Sequence, residues 1–397
     1  MKRYILICLA AMILTGTCFA GASPGSPTSE TPTDSAADAV VTVGPIENLN
    51  AESAILVDLA SGTVLYEEDA DLVLPPASIT KIMTLLLVIE AVERGELAYT
   101  DIVTVGEHAC SMGGAQIFLE PGEQMTVEEL FKAVSIASAN DAAVALAEHV
   151  SGSEMAFVAR MNTRAQELGM TNTVFKNACG LDADGHVTTA RDIARMSVEL
   201  CKHEKAFVYS TTWIDSVRNG EFELVNTNKL VRTYQGITGL KTGSTGKAKC
   251  CLSATAERNG IALCAVVMGC ETGKIRFESA AALLDYGFAT FERIDLVGDT
   301  SLPEVPIGFG EVDRIGAEFS GGGSVLIERG KSAEISREIH WYESPKAPIC
   351  KGDPLGTLIV RYGENELGRV EIVAAADVRR LSIGMVFARL LASFRWF

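Results

Sequence analysis

Ser78 and Lys81 stand three residues apart at the head of a long apolar run, Ile82 to Ile89. On a helix that spacing puts both side chains on one face, in reach of each other. A serine hydroxyl is a weak nucleophile at neutral pH. A lysine held beside it in a dry pocket can lose its proton and act as base. A plainer alternative is an N-cap serine followed by a surface lysine in the first turn. Ser244 and Lys247 repeat the same spacing, so the pair alone decides nothing.

Two further groups give it company. Ser138-Ala139-Asn140 is the one Ser-x-Asn of the chain, and Lys241-Thr242-Gly243 is its one Lys-Thr-Gly. Ser78 can attack an acyl carbon if Lys81 accepts its proton. Ser138 and Asn140 can relay a proton to a leaving amine and hydrogen-bond a substrate amide. Lys241 supplies positive charge for a substrate carboxylate and is expected to hold Lys81 neutral by like-charge repulsion. Gly243, next to Thr242, lets a substrate backbone lie close along a strand edge. The backbone amides of Ser78 and Ser244 are the natural oxyanion pair.

The elements that must carry these groups are legible in outline. Pro75 and Pro76 fix an extended approach, and the helix that follows is expected to end near Arg94-Gly95. Ala54–Asp58 and Val64–Tyr66, around Ser61-Gly62, read as a hairpin. Helices are expected over Val127–Ile136, Asp141–Val150, Met155–Leu168 and Ala190–Leu200, which puts Ser138-Asn140 in the gap between two of them. Residues 111–122 and 171–190 read as loops. Lys241-Thr242-Gly243 falls on a strand after a glycine-rich turn. Leu252–Ala256 and Ile261–Met268 are buried strands about Asn259-Gly260, followed by a helix over Arg276–Phe288. After Asp299 the texture changes to short alternating segments, with a hairpin at 356–373.

The chain of 397 residues carries a formal net charge of −17, which argues against a nucleic-acid partner. Residues 1–20 pair Lys2-Arg3 with a short apolar run and end Cys18-Phe19-Ala20, the pattern of a cleaved export signal. Residues 21–48, rich in Pro, Ser, Thr and acid, are expected to be a disordered leader. Residues 378–397 contain four arginines and no acid, with Ile383, Phe387, Leu390, Phe394 and Phe397 on one helical stripe. That stripe suggests a helix lying on a membrane surface; docking on the β-rich region is the alternative, and Arg389 makes a true span costly. Most of the cysteines sit in apolar runs and read as small buried hydrophobes, with a disulfide framework, usual in an exported chain, as the alternative. The five histidines show no metal-ligand spacing, and no metal or cofactor is implied.

Ser-x-x-Lys, Ser-x-Asn and Lys-Thr-Gly in this order are the signature of penicillin-binding proteins and serine β-lactamases. The chain resembles the D-alanyl-D-alanine carboxypeptidases of the low-molecular-mass penicillin-binding protein class, in particular the Gram-positive, sporulation-associated type. The resemblance runs through residues 75–84, 107–122, Ser138–Asp141, Gly180, Gly185-His186, 189–192 and 239–243. It implies an α/β (α+β) catalytic domain of serine β-lactamase/transpeptidase type over 49–297, a small all-β domain over 300–376 and an amphipathic membrane-anchor helix over 378–397. It also implies removal of the terminal D-alanine from peptidoglycan stem pentapeptides through an acyl-enzyme on Ser78, with β-lactams as covalent inhibitors. By position Arg276 resembles the family's substrate-carboxylate arginine. Ser244 stands where many relatives carry His or Tyr. A serine β-lactamase is the near alternative, although residues 155–190 contain no Glu-x-x-x-Asn to place a second base. A non-catalytic muropeptide-binding or β-lactam-sensing protein is the other.

Overall fold

The computed structural model describes residues 46–393. The export signal, the leader up to residue 45 and the last four residues of the expected anchor lie outside them.

At the centre is a five-stranded antiparallel sheet. Its order is Val64–Glu68, Ser53–Asp58, Ile261–Cys270, Lys249–Arg258, Ile237–Thr245. Both faces are covered. Ile55 and Val57 point into a large core shared with the Lys81–Glu93 and Ala190–Leu200 helices. Ala54 and Leu56 point the other way, against Leu283 and Leu284 of the Gly273–Thr290 helix. Two buried faces explain why these strands read as unbroken apolar runs instead of alternating ones. The Lys81–Glu93 helix is apolar nearly all round because it runs through the core.

Helix starts follow their caps. Thr126 and Glu129 form a reciprocal capping box at the head of Val127–Ile136. Thr189 and Thr272 cap Ala190–Leu200 and Gly273–Thr290. Between Cys201 and Gly236, where the sequence offers no clear period, lie the Glu204–Ser210 helix and the hairpin Ile214–Val217/Phe222–Val225.

Phe291–Asp295 pairs antiparallel with Ser324–Glu328, so the chain enters its β-rich C-terminal part ahead of the texture change at Asp299. That part holds a four-stranded sheet ordered Ala317–Phe319, Asn365–Ala374, Pro354–Tyr362, Ile335–Trp341, with a two-residue turn at Gly363-Glu364. Arg293 ties it back to the buried Asp58 at 3.3 Å.

Two local expectations change. Ser78 lies in a 3-10 turn, Ala77–Thr80, and the α-helix proper starts at Lys81. The terminal helix begins at Ile383, not Val378. Val378 is buried with Val305, Ile315 and Ile349 and bridges to Ile349, so apolar packing keeps residues 378–382 on the β-rich part.

Candidate active site

The Ile237–Thr245 strand is an edge of the central sheet, and the Ser78 turn packs beside it. A methyl group on Gly243 would meet Ala77 Cβ, Ile79 Cγ1 and Ile79 N, each at 3.1 Å. Glycine at this point therefore sets how closely the nucleophile turn can approach the strand.

Lys81 is fully buried. Its Nζ lies 3.0 Å from Ser78 Oγ, 2.6 Å from Asn140 Oδ1 and 2.5 Å from the Cys179 carbonyl. A neutral amine has two N–H bonds and one lone pair. With both N–H bonds given to Asn140 and Cys179, the lone pair faces the Ser78 hydroxyl. Burial pulls the Lys81 ammonium down to about 8, partly offset by the nearby Asp141 carboxylate.

Ser138 sits at φ 62 between the Val127–Ile136 and Asn140–Ser151 helices, and Lys241 Nζ donates to its Oγ at 2.8 Å. Non-glycine residues hold that conformation only where their surroundings over-determine it. Asn140 is anchored by its Nδ2, which donates to the Gly113 carbonyl at 2.6 Å, and by its backbone amide, which donates to Ala115 O at 2.7 Å. The buried Asp141 carboxylate accepts from the amides of Ile117 and Leu119 and so holds the same loop.

Lys241 is 1% exposed, and its Nζ also donates to the Thr242 carbonyl. Burial, then the charges of Lys81 and Arg276, hold its ammonium well below the usual lysine range. The repulsion between Lys81 and Lys241 that the sequence predicts is mutual and adds to burial in disfavouring charge in this pair. Thr242 Oγ1 donates to Thr227 Oγ1 at 2.7 Å. Ser244 is exposed, its hydroxyl 3.6 Å from Cys250 Sγ. Arg276 reaches the same strand from the helix side and donates to the Gly243 carbonyl at 3.0 Å, while its buried Nε has no partner. Side-chain hydrogen bonds thus join Ser78, Lys81 and Asn140 in one group and Ser138 with Lys241 in another; Thr242, Gly243 and Ser244 follow on the strand that carries Lys241, with Arg276 against it from the Gly273–Thr290 helix. The second Ser-x-x-Lys is not such a pair: Lys247 is solvent-facing and reaches Asp184 at 3.5 Å.

Several supports have no motif of their own. Asn177 Oδ1 accepts the amides of Cys179, Gly180 and Leu181, which shapes the turn that offers the Cys179 carbonyl to Lys81. Thr84 Oγ1 donates to Ala178 O at 2.6 Å. Gly180, at φ 86, backs directly onto the Ser78 turn. His186 Nε2 lies 3.0 Å from Thr80 Oγ1, and burial pulls its imidazolium down to about 4, so the ring is neutral. Among the described residues, no three His, Cys, Asp or Glu side chains converge as a metal site would require.

The D-alanyl-D-alanine carboxypeptidase family model matches residues 39–272, and the penicillin-binding protein 5 C-terminal domain matches 291–380. The chain is 42% identical over 335 residues to D-alanyl-D-alanine carboxypeptidase DacF of Bacillus subtilis, covering 83% of this chain and 86% of that protein. It is 34% identical to DacC of Escherichia coli, covering 88% and 90%. Penicillin-binding protein 5 of Haemophilus influenzae superposes with a TM-score of 0.73 at 30% identity, over 86% of this chain and 100% of that one. The ampicillin-bound form of penicillin-binding protein D2 of Listeria monocytogenes gives 0.57 at 33% identity, over 62% of this chain and 100% of that one. With its family model covering more than half the sequence and full-length relatives on both measures, the chain belongs to the D-alanyl-D-alanine carboxypeptidase family.

Proposed function

We propose that this chain is a serine-type D-alanyl-D-alanine carboxypeptidase acting on peptidoglycan stem pentapeptides. The observation that carries the reading is Lys81 Nζ, fully buried and 3.0 Å from Ser78 Oγ. In the proposed reaction Ser78 Oγ attacks the carbonyl carbon of the penultimate D-alanine while Lys81 takes its proton. The oxyanion is held by the amides of Ser78 and Ser244. Ser138 passes a proton to the leaving nitrogen, D-alanine departs, and water hydrolyses the Ser78 ester. Asn140 binds a substrate amide, and Lys241, Thr242, Gly243, Ser244 and Arg276 bind the carboxylate end. β-Lactams present an acyl carbon and carboxylate to the same groups and acylate the same serine.

The β-lactamase alternative needs a second base over the ester. Glu167, the nearest match in sequence, is 57% exposed and ion-paired with Arg164, which disfavours that role. The catalytic domain, expected over 49–297, is assigned to 49–290, and the β-rich domain, expected over 300–376, is extended to begin at Phe291, whose strand pairs with Ser324–Glu328. The arginine-rich end is assigned to an extracytoplasmic membrane surface. Ile383 and Phe387 are exposed on the Ile383–Ser393 helix, and among the described residues no helix is long and apolar enough to cross a membrane. Release of D-alanine from diacetyl-lysyl-D-alanyl-D-alanine tests the activity. Release by the wild type and none by Ser78→Ala is expected; no release by the wild type, or full release by Ser78→Ala, overturns it.

A further inference from the structure

Ser244, Cys250 and Cys270 form one row across three adjacent strands. Ser244 is registered opposite Cys250, and Cys250 opposite Cys270. Both cysteines pack with Leu252, Val267 and Leu284 on the face covered by the Gly273–Thr290 helix. Their neighbour Cys251 turns to the opposite face and donates to the Ala248 carbonyl. Strict alternation would separate Val267 and Cys270 onto different faces. An irregularity in register between Cys250 and Leu252, opposite Gly269 at φ 70, brings Cys270 round to the Cys250 side.

Directly opposed residues of an antiparallel pair have Cα atoms about 4.5 or 5.5 Å apart. Disulfides span Cα separations of about 4.4–6.8 Å. Either Cα spacing lies within the range that a bridge spans. Both thiols are free in the structure. Cys250 is half-buried and lies against the Ser244 hydroxyl, while Cys270 is fully buried.

We propose that Cys250 and Cys270 form a reversible cross-strand disulfide site at the strand end that carries Ser244, closed by a small disulfide oxidant. The Cys250 thiolate attacks one sulfur of the oxidant, forms a mixed disulfide and releases one thiol. Cys270 then loses its proton and attacks the Cys250 sulfur, forming the intramolecular bond and releasing the second thiol. Two protein thiols are oxidised and one external disulfide is reduced. Exposure sets the order: Cys250 is reached from solvent and reacts first, and Cys270, buried beside it, can meet only the sulfur that Cys250 presents. Closure draws the Cys250 sulfur away from the Ser244 hydroxyl. The bridge as a covalent site does not depend on the reaction assigned to Ser78.

The test is to treat the purified protein with oxidised glutathione, alkylate the remaining thiols and map peptides without reduction. A peptide pair joined through Cys250 and Cys270, lost on adding dithiothreitol, is expected. In Cys270→Ser, Cys250 is expected to stop at the glutathione adduct. The proposal is overturned if wild-type Cys250 stays as that adduct, if both thiols remain alkylatable, or if Cys250 is joined to Cys251 or another cysteine.

Discussion

A Cβ on Gly180 would sit 1.9 Å from the carbonyl oxygen of Ala77 and 2.9 Å from the amide nitrogen of Ser78. The loop that presents the Cys179 carbonyl to Lys81 therefore also sets the position of the nucleophile turn. Gly180 is at φ 86, a conformation that side chains disfavour as well. Gly180→Ala is expected to displace Ser78 and slow acylation by benzylpenicillin by ~10²-fold, since small misplacements near reacting atoms cost about that much. Stopped acylation assays on protein with native circular dichroism check it. An unchanged rate would mean that the two loops move independently.

The Lys81 ammonium, pulled down to about 8 by burial, makes a kinetic prediction. The base must be unprotonated, so acylation rises as pH increases through about 8 and levels off above it. The stability effect has the same sign. Between about 8 and the ordinary value of 10.5 the unfolded chain holds the proton that the folded chain has released, so this group makes stability rise with pH. A pH–rate profile for acylation, recorded beside denaturation midpoints, checks both. Acylation that falls with rising pH across this window would remove Lys81 as the base.

Lys241 is buried beside Ser138, with its charge disfavoured until an anion arrives. A substrate carboxylate would restore that charge. Peptides ending in a carboxamide are expected to lose ~10²-fold in kcat/KM with the wild type, on the scale of about 3 kcal/mol for a buried charged contact. Lys241→Gln is expected to lose discrimination between the two peptide ends. Equal discrimination by both proteins would place the carboxylate elsewhere.

The three motifs were legible because their residue types are chemical and their order is specific. What could not be read was the support. The Asn177 side chain acts by gathering backbone amides and Cys179 acts through its carbonyl, so neither leaves a motif near Ser78. The Glu204–Ser210 helix and the 214–225 hairpin are short and lack a clear hydrophobic period. The start of the terminal helix at Ile383 is not legible in the sequence, because Val378 continues the arginine-rich stretch yet belongs to a small apolar cluster of the β-rich part. The repulsion between Lys81 and Lys241 is legible from their residue types, whereas the Asp141 carboxylate near Lys81 is not, because its position follows from the amides of Ile117 and Leu119.

Deleting residues 383–397 is expected to abolish co-sedimentation with vesicles containing anionic lipid while leaving D-alanine release intact. Ile383 and Phe387 are exposed, and the terminal arginines favour such headgroups. Retained binding by the truncated protein would assign the attachment to another part of the chain.

The central claim is that Ser78 is the acylated nucleophile of a slow-deacylating peptidase. Intact-mass and peptide-mapping spectrometry after benzylpenicillin treatment tests it most directly. One long-lived adduct is expected, on the peptide containing Ser78, and none in Ser78→Ala. An adduct on another residue, or penicillin turned over within seconds without accumulation, would contradict it.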